Sequence, residues 1–170
     1  ALTLDALGRL DEAEPLYRQA LAICETTIGI NHPEYATHLN NLACLLQAQD
    51  KLDEAEPLYR QALAINAATL GINHPGYASY LNNLAGLLRA HGKLDEAEPL
   101  YRQALEIGAA TIGINHPNYA IRLNNLADLL CVRGKLEEAE SLLRQALAID
   151  AASIGTNHPL YATDLNNLAI

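Results

Sequence analysis

Histidines, paired carboxylates and cysteines are the side chains of this sequence that could do chemistry. Histidine recurs in an Asn-His-Pro triplet at 31–33, 73–75, 115–117 and 157–159, a spacing of 42 residues each time. Several histidines could bind zinc together. These four, however, occupy the same place in successive repeats, and stacked helices separate such places by about 8 to 10 Å, whereas metal–nitrogen bonds are about 2 Å long. We therefore expect no metal site, and the isolated His38 and His91 do not change that expectation.

Catalysis is not indicated by the other candidates. Acidic pairs such as Asp53-Glu54 come where an exposed helix is expected to begin, and carboxylates there favour the helix dipole. Cys24, Cys44 and Cys131 form no CxxC pair, so we expect reduced thiols with no disulfide or zinc. No serine or cysteine has a histidine and an acid at a spacing that would indicate a catalytic triad. No glycine-rich loop could hold phosphate. The sequence therefore predicts neither an enzyme nor a cofactor.

The composition predicts an all-α protein. Half of the 170 residues are hydrophobic, with no Trp, Phe or Met, and alanine and leucine, both strong helix formers, dominate. The formal charge of -9 without a Lys/Arg cluster disfavours nucleic acid and anionic membrane surfaces. No apolar run approaches the roughly 18 residues of a membrane span, and no signal peptide is recognisable. We expect a cytoplasmic protein.

The 42-residue unit divides into two helical patterns, named helix A and helix B. Helix A is expected to begin at Pro33, capped by Asn31 or His32, and to run to about Gln49. Helix B follows from about Asp53, and its proline one turn later should cost little because the first four N–H groups lack partners. The expected breaks are Asp50, Gly8, Gly92 and Gly134 after helix A, and Gly29, Gly71, Gly113 and Gly155 after helix B.

Each helix carries an apolar stripe that predicts how the repeats pack. One such pair of helices cannot bury its apolar face alone, so each unit must stack on the next. The sequence thus predicts one array over 1–170, with a partial repeat 1–30, repeats 31–72, 73–114 and 115–156, and a partial repeat 157–170. We expect a piece of a longer array, whose apolar ends favour end-to-end self-association. The stripes are Leu39, Leu42, Ala43 and Leu46 in helix A, and Leu52, Ala55, Leu58, Tyr59, Ala62, Leu63 and Ile65 in helix B.

These residues carry a family resemblance. The sequence resembles the tetratricopeptide repeat (TPR) signature at Leu42-Ala43, Leu46, Leu52, Ala55, Tyr59 and Ala62, with Gly92 and Gly134 at the turn position. The 42-residue period, the HP before helix A, and the LNNLA and EAEPLYRQAL motifs resemble the repeats of kinesin light chains and related bacterial arrays. The resemblance implies a right-handed α-solenoid whose A helices line a concave groove that receives peptides.

Paired asparagines on helix A are candidate peptide-binding residues. Asparagine is a mediocre residue inside a helix, and its amide could pair with the backbone of an extended peptide. The alternative is that each amide bonds the adjacent repeat or is solvated. The first asparagines of the pairs, which we expect in the groove, are Asn40, Asn82, Asn124 and Asn166, and the second are Asn41, Asn83, Asn125 and Asn167.

Differences between the repeats lie mainly on helix A, while the outer surface of helix B hardly varies. We interpret this contrast as a groove adjusted position by position over a fixed scaffold. Gln47, Arg89, Arg122 and Asp128 are the predicted specificity residues, because charged and amide groups can pair with ligand side chains.

The leading functional prediction is a scaffold that holds an extended peptide segment of a partner protein. The alternative is a structural or self-assembly arm that associates through exposed repeat ends. A third possibility, which rests on the resemblance alone, is the sensor array of a larger multidomain protein.

Overall fold

The computed structural model describes residues 8–169, which form eight α-helices and no strand. The all-helical fold predicted from composition is confirmed, while the helix expected over residues 1–7 lies outside the described residues. The B helices are α1 (Leu10–Thr27), α3 (Leu52–Thr69), α5 (Leu94–Thr111) and α7 (Leu136–Ser153), and the A helices are α2 (Pro33–Ala48), α4 (Pro75–Ala90), α6 (Pro117–Val132) and α8 (Pro159–Leu168).

Each A helix begins at the proline of its Asn-His-Pro triplet because the preceding histidine is held extended and caps the helix. Proline disfavours the α conformation in the residue before it, and His32 accordingly has φ -91° and ψ 142°. Its Nδ1 accepts a hydrogen bond from the backbone N–H of Glu34 at 3.2 Å. Of the two candidate caps, the histidine therefore performs the role.

A left-handed residue closes each A helix. Asp50 has φ 60°, and the glycines at the same place in other copies have similar values, such as 76° for Gly92. The Lys51 N–H then bonds the Leu46 carbonyl at 2.9 Å, which satisfies one of the last carbonyls of α2. This turn sends the chain back along α2 as α3, as the breaks in the sequence predict.

The proline of helix B lies deeper than the sequence suggested. Since α3 begins at Leu52, Pro57 is its sixth residue and falls beyond the first four N–H groups. The carbonyl of Asp53 therefore loses its intrahelical donor, which corrects the reason given for the small cost, since Pro57 is not one of the first four residues. Asp53 is exposed, so water can satisfy its carbonyl.

The predicted stripes form the core. In helix A the four stripe residues of α2 are at most 1% exposed, and in helix B Ala55, Tyr59, Ala62 and Ile65 are buried. Leu52, Leu58 and Leu63 are partly buried at the edges of the same clusters. Alanine at the closest positions lets the two helices of a repeat approach each other.

The helices pack in tandem, each on its neighbours in the chain, as in a solenoid. Successive A helices also pack directly on one another: α2 on α4, α4 on α6 and α6 on α8. Among the described residues no comparable packing joins successive B helices. The A helices therefore form the inner face of the array, and the B helices form its outer face.

Candidate peptide-binding groove

The asparagines of the inner face bond across repeats rather than standing alone. The Oδ1 of Asn40 accepts a hydrogen bond from the Nδ2 of Asn83 at 3.0 Å, and Asn82 accepts one from Asn125 at the same distance. Asn40 and Asn82 thus each accept a hydrogen bond from the second asparagine of the next repeat. These bonds correspond to the alternative role, in which an amide joins adjacent repeats, and peptide binding by the first asparagines stays a prediction.

The third asparagine pair departs from this pattern. Asn124 uses its Nδ2 to donate to Asp164 Oδ1 at 2.5 Å, and its Oδ1 is buried without a hydrogen-bond partner among residues 8–169. Asn166 is exposed near the end of α8, and Asn167 lines a cavity beside α6. The four predicted asparagines therefore do not share one environment.

An ion pair joins two of the predicted specificity residues. Arg89 of α4 and Asp128 of α6 approach to 2.6 Å, with side chains 36% and 55% exposed. Tyr101 lies beneath them. Burial raises the pKa of its hydroxyl above the usual value, and Arg89 offsets part of that rise. Gly86 leaves room at this point, since a Cβ there would lie 3.3 Å from the Tyr101 hydroxyl oxygen.

Gln47 occupies the same place one repeat earlier and makes different contacts. The Tyr59 hydroxyl oxygen lies 3.1 Å from Gln47 Oε1 and 3.0 Å from Cys44 Sγ, so its one hydrogen can be donated to either acceptor. The variable side chains at this position therefore sit above a buried tyrosine in both repeats. The tyrosine gives them a fixed support.

Arg122 lies elsewhere than the sequence suggested. It was expected on the open face, but its residue surface is only 7% exposed and its side chain packs on Gly108, with Cδ 3.3 Å from a Cβ built there. Nη1 donates to the Asn118 carbonyl at 3.2 Å and Nη2 to Ser79 Oγ at 3.4 Å. Burial lowers its pKa. Ligand contact by Arg122 stays a prediction. Its side chain lies at the junction of two repeats, where a B helix packs on the next A helix.

The chain contains a signal for this junction position. The B-helix residues that face the next A helix are 24, 66, 108 and 150. They differ from repeat to repeat, and so do the A-helix residues paired with them, which are 38, 80, 122 and 164 in the same order. Glycine at 108 makes room for arginine at 122, as the contact distances show. Comparing the two series in the sequence would have indicated that position 122 belongs to an interior pair.

Two cavities of about 220 and 200 Å³ open between successive A helices. The first lies between α4 and α6, and the second between α6 and α8, with Leu143 of α7 at its wall. Both combine amide groups with an ionisable side chain. Their linings are Ser79, Asn82, Asn83, Asn118, Ile121 and Arg122 in the first, and Asn124, Asn125, Asp128, Cys131, Leu143 and Asn167 in the second.

The outer face explains why helix B varies so little. Lys51 contacts Glu14 of the preceding B helix at 2.8 Å, and the same bond recurs between Lys93 and Glu56. Lys51 and Arg18 hold the pKa of Glu14 at about 2. The outer residues of helix B are therefore constant because they form ion pairs between repeats. For that reason, comparing them with the variable residues of helix A is weaker support for a peptide groove than the sequence alone suggested.

The triplet histidines act as helix caps in all four copies. Nδ1 accepts from the backbone N–H two residues on, at 3.0 to 3.2 Å, for His32, His74, His116 and His158.

No helix in the described range is long and apolar enough to cross a membrane.

Tandem A and B helices with a polar inner face define a helical-repeat scaffold. The tetratricopeptide repeat model matches residues 1–68, 45–110, 78–149 and 119–170, which together cover the whole sequence. The chain belongs to the tetratricopeptide repeat family. Such repeats in general form protein-interaction scaffolds.

Solved structures of kinesin light chain type share the fold. The chain is 32% identical to the kinesin light chain-like protein of Podosopora anserina with nearly identical TPR-like repeats, at a TM-score of 0.83, covering 98% of this chain and 79% of that one. A form of that protein with one residue substituted gives 31% and 0.84 with the same coverage. BtubC (BKLC) from P. vanneervenii gives 29% and 0.81, covering 92% of this chain and 62% of that one. No curated protein sequence matches.

Proposed function

We propose that the inner face binds an extended peptide segment of a partner protein. The observation that carries this proposal is the partly exposed Arg89–Asp128 pair on the A helices, whose Asp128 also lines the 200 Å³ cavity between α6 and α8. Both groups keep polar atoms accessible, so they can exchange part of their mutual contact for contacts with a ligand. On the outer face, by contrast, the glutamates that pair with Lys51 and Lys93 are largely buried, with side chains 17% and 15% exposed.

The asparagines would assist through their amide nitrogens. Because the Oδ1 of Asn40 is already bonded to Asn83, the group left for a peptide carbonyl is its Nδ2, which has only a 3.8 Å contact with Cys44 Sγ. Side-chain amides have two donor hydrogens, so one amide can serve the array and the ligand together. This division supports sequence-tolerant backbone pairing, with selectivity supplied by Arg89, Asp128 and Gln47.

Selection from a displayed peptide library tests the proposal. The selected peptides would be titrated against the parent chain and an Arg89→Asp variant. An outer-face variant, Arg60→Asp, is a matched control, because Arg60 also makes an inter-repeat pair, 2.9 Å from Glu96. We expect at least tenfold weaker binding, about 1.4 kcal/mol, in the inner-face variant and little change in the outer-face variant.

Two results would contradict the proposal. One is the absence of any shared motif among selected peptides. The other is equal loss of affinity in the Arg89→Asp and Arg60→Asp variants at unchanged helicity, because that result would trace the loss to repeat stacking rather than to ligand contact.

Self-association is a second candidate function, favoured by an apolar row on one edge of the array. Ile30, Ile72 and Ile114 precede successive A helices and are 46, 53 and 58% exposed. A second copy could cover this row side by side, in addition to the end-to-end contact predicted from the sequence. Light scattering across a concentration series tests it: mass should rise with concentration in the parent and less in Ile72→Ser, and a constant monomeric mass rules it out.

A further inference from the structure

The residue that follows each A helix reaches back to the B helix of the preceding repeat. His91, which follows α4, has its Nε2 3.5 Å from Asp53 Oδ1 and its Nδ1 3.6 Å from Glu56 Oε2. Both carboxylates belong to α3, so the contact joins two successive repeats. The imidazole therefore lies between two acidic side chains at a junction of the array.

The equivalent residues make the same contact at the junctions before and after this one, with side chains of different charge. Gln49, which is neutral, donates from its Nε2 to Asp11 Oδ1 at 3.2 Å. Arg133, whose guanidinium is always charged, contacts Asp95 at 2.7 Å and Glu98 at 3.2 Å. The position therefore joins two repeats with either a neutral or a cationic side chain.

Histidine is the member of this series that changes charge near neutral pH, between about pH 5 and pH 8. A neutral imidazole carries one N–H and can donate to only one of the two carboxylates, whereas a protonated imidazole has an N–H for each. Both contacts of His91 are longer than the roughly 3.2 Å limit of a good N–H···O hydrogen bond, so a positive charge can still strengthen them. The contact between the two repeats is therefore stronger when the ring is protonated.

Two effects oppose protonation, namely the partial burial of the ring and the nearby cation Lys93. Lys93 contacts Glu56 at 2.8 Å, so a protonated imidazole would share that glutamate with it. The next junction already holds such an arrangement, because Glu98 contacts both Arg133, at 3.2 Å, and Lys135, at 2.9 Å. The Arg133 side chain is 26% exposed and the imidazole 29%, so the fold accommodates a cation in similar surroundings.

The remaining charged groups around this junction have ion-pair partners of their own. Lys93, and after it Arg60, hold the pKa of Glu56 below its usual value against the effect of burial, so this carboxylate stays ionised while histidine titrates. The other pairs on the surrounding helices are Arg60 with Glu96, Arg89 with Asp128, Arg133 with Asp95, Arg18 with Glu54, and Lys51 with Glu14.

We propose that His91 is a pH-responsive contact between two repeats, in which protonation of the imidazole ties the end of α4 to Asp53 and Glu56 of α3. The carboxylates favour the protonated ring in the folded array more than in the unfolded chain. The added stability is therefore present at the acidic end of the histidine range and is lost as the pH rises through it. The proposal concerns the stacking of repeats and does not depend on whether the groove binds a peptide.

Urea unfolding of the parent, His91→Gln and His91→Arg between about pH 8 and about pH 5.5 tests the proposal. The two variants carry the residues that the chain itself uses at 49 and 133, and neither residue titrates in this range. Comparing the proteins at each pH cancels the titration of the other histidines. From the higher to the lower pH, we expect the unfolding constant of the parent to fall about threefold relative to that of His91→Gln. The ratio between the two variants should stay constant.

A second variant, Gln49→His, places a histidine at the preceding junction, where Asp11 and Glu14 are the equivalent carboxylates. Its stability should gain the same dependence on pH relative to the parent, and this comparison remains decisive if circular dichroism shows that a His91 variant fails to fold. A constant ratio between parent and His91→Gln overturns the proposal. A ratio that changes in the opposite direction also overturns it, because burial would then disfavour the charged ring more than the two carboxylates favour it.

Discussion

Replacing His116 by alanine tests whether the Asn-His-Pro triplet is a structural signal. His116 precedes α6 with φ -86° and ψ 138°, and its Nδ1 accepts from the Asn118 N–H at 3.1 Å. His116→Ala removes this acceptor but keeps Pro117, so the chain can still enter the helix in the same direction. The N–H of Asn118 must then turn to water.

The size of the effect follows from the exposure of the cap. Loss of an N-cap acceptor costs about 0.5 to 2 kcal/mol, and water can replace part of the bond because His116 is exposed. We expect a loss of about 1 kcal/mol, which lowers the folding equilibrium constant about fivefold. His116→Asp should recover most of it, because a carboxylate accepts the same N–H and also favours the helix dipole.

Urea unfolding followed by far-ultraviolet circular dichroism measures these differences. Asn115→Ala is the matched control, since Asn115 is the adjacent exposed polar residue and the sequence alone left its equivalent as a possible cap. The reasoning is refuted if Asn115→Ala loses as much stability as His116→Ala, or if His116→Asp recovers nothing.

Three further predictions concern the turn, the outer face and the junction. Asp50→Gly should raise the free energy of unfolding by roughly 0.5 kcal/mol, because Asp50 holds φ 60° where two later copies have glycine; a loss in urea unfolding would contradict this. Glu14 has its pKa at about 2, below the usual 4.5, so its contribution of roughly 1 kcal/mol is present above pH 4.5 and lost as pH falls towards 2. Comparing the parent with Glu14→Gln across that range checks the sign, and a constant difference would refute it. Arg122→Met should keep stability within about 1 kcal/mol, whereas Arg122→Ala should lose about 2 kcal/mol through the space left against Gly108; equal losses on thermal unfolding would argue against packing as the cause.

The helices and the core could be predicted from the sequence because their causes are local. Proline after histidine fixes the start of α2, and the left-handed Asp50 fixes its end within one residue of the predicted Gln49. The leucine and alanine spacing of one helix determines which face is buried. These signals recur every 42 residues, so each copy repeats the evidence.

The inner face could be predicted only in part because its contacts depend on how one repeat sits on the next. The sequence places Asn40 on the open side of α2, but only the stacking of α4 on α2 brings Asn83 to within 3.0 Å of it. The helical periodicity of α6 likewise places Arg122 at the boundary between the core and the groove. Gly108 of the preceding helix leaves space for the Arg122 side chain, so that side chain is buried. This contact joins two repeats, so one helix alone does not predict it.

The near-identity of the repeats gives this array its own internal comparison. Where the copies agree, as in the lysine–glutamate pairs of the outer face, the shared contact holds one repeat to the next. Two of the places where they differ are the inner-face positions around Arg89 and Asp128 and the buried junction pairs that end with Asp150 and Asp164. Under the proposed function, differences at the inner-face positions change what the array binds. Differences at the junctions change how adjacent repeats are joined, so the two kinds of variation require separate mutations and separate measurements, binding for the first and unfolding for the second.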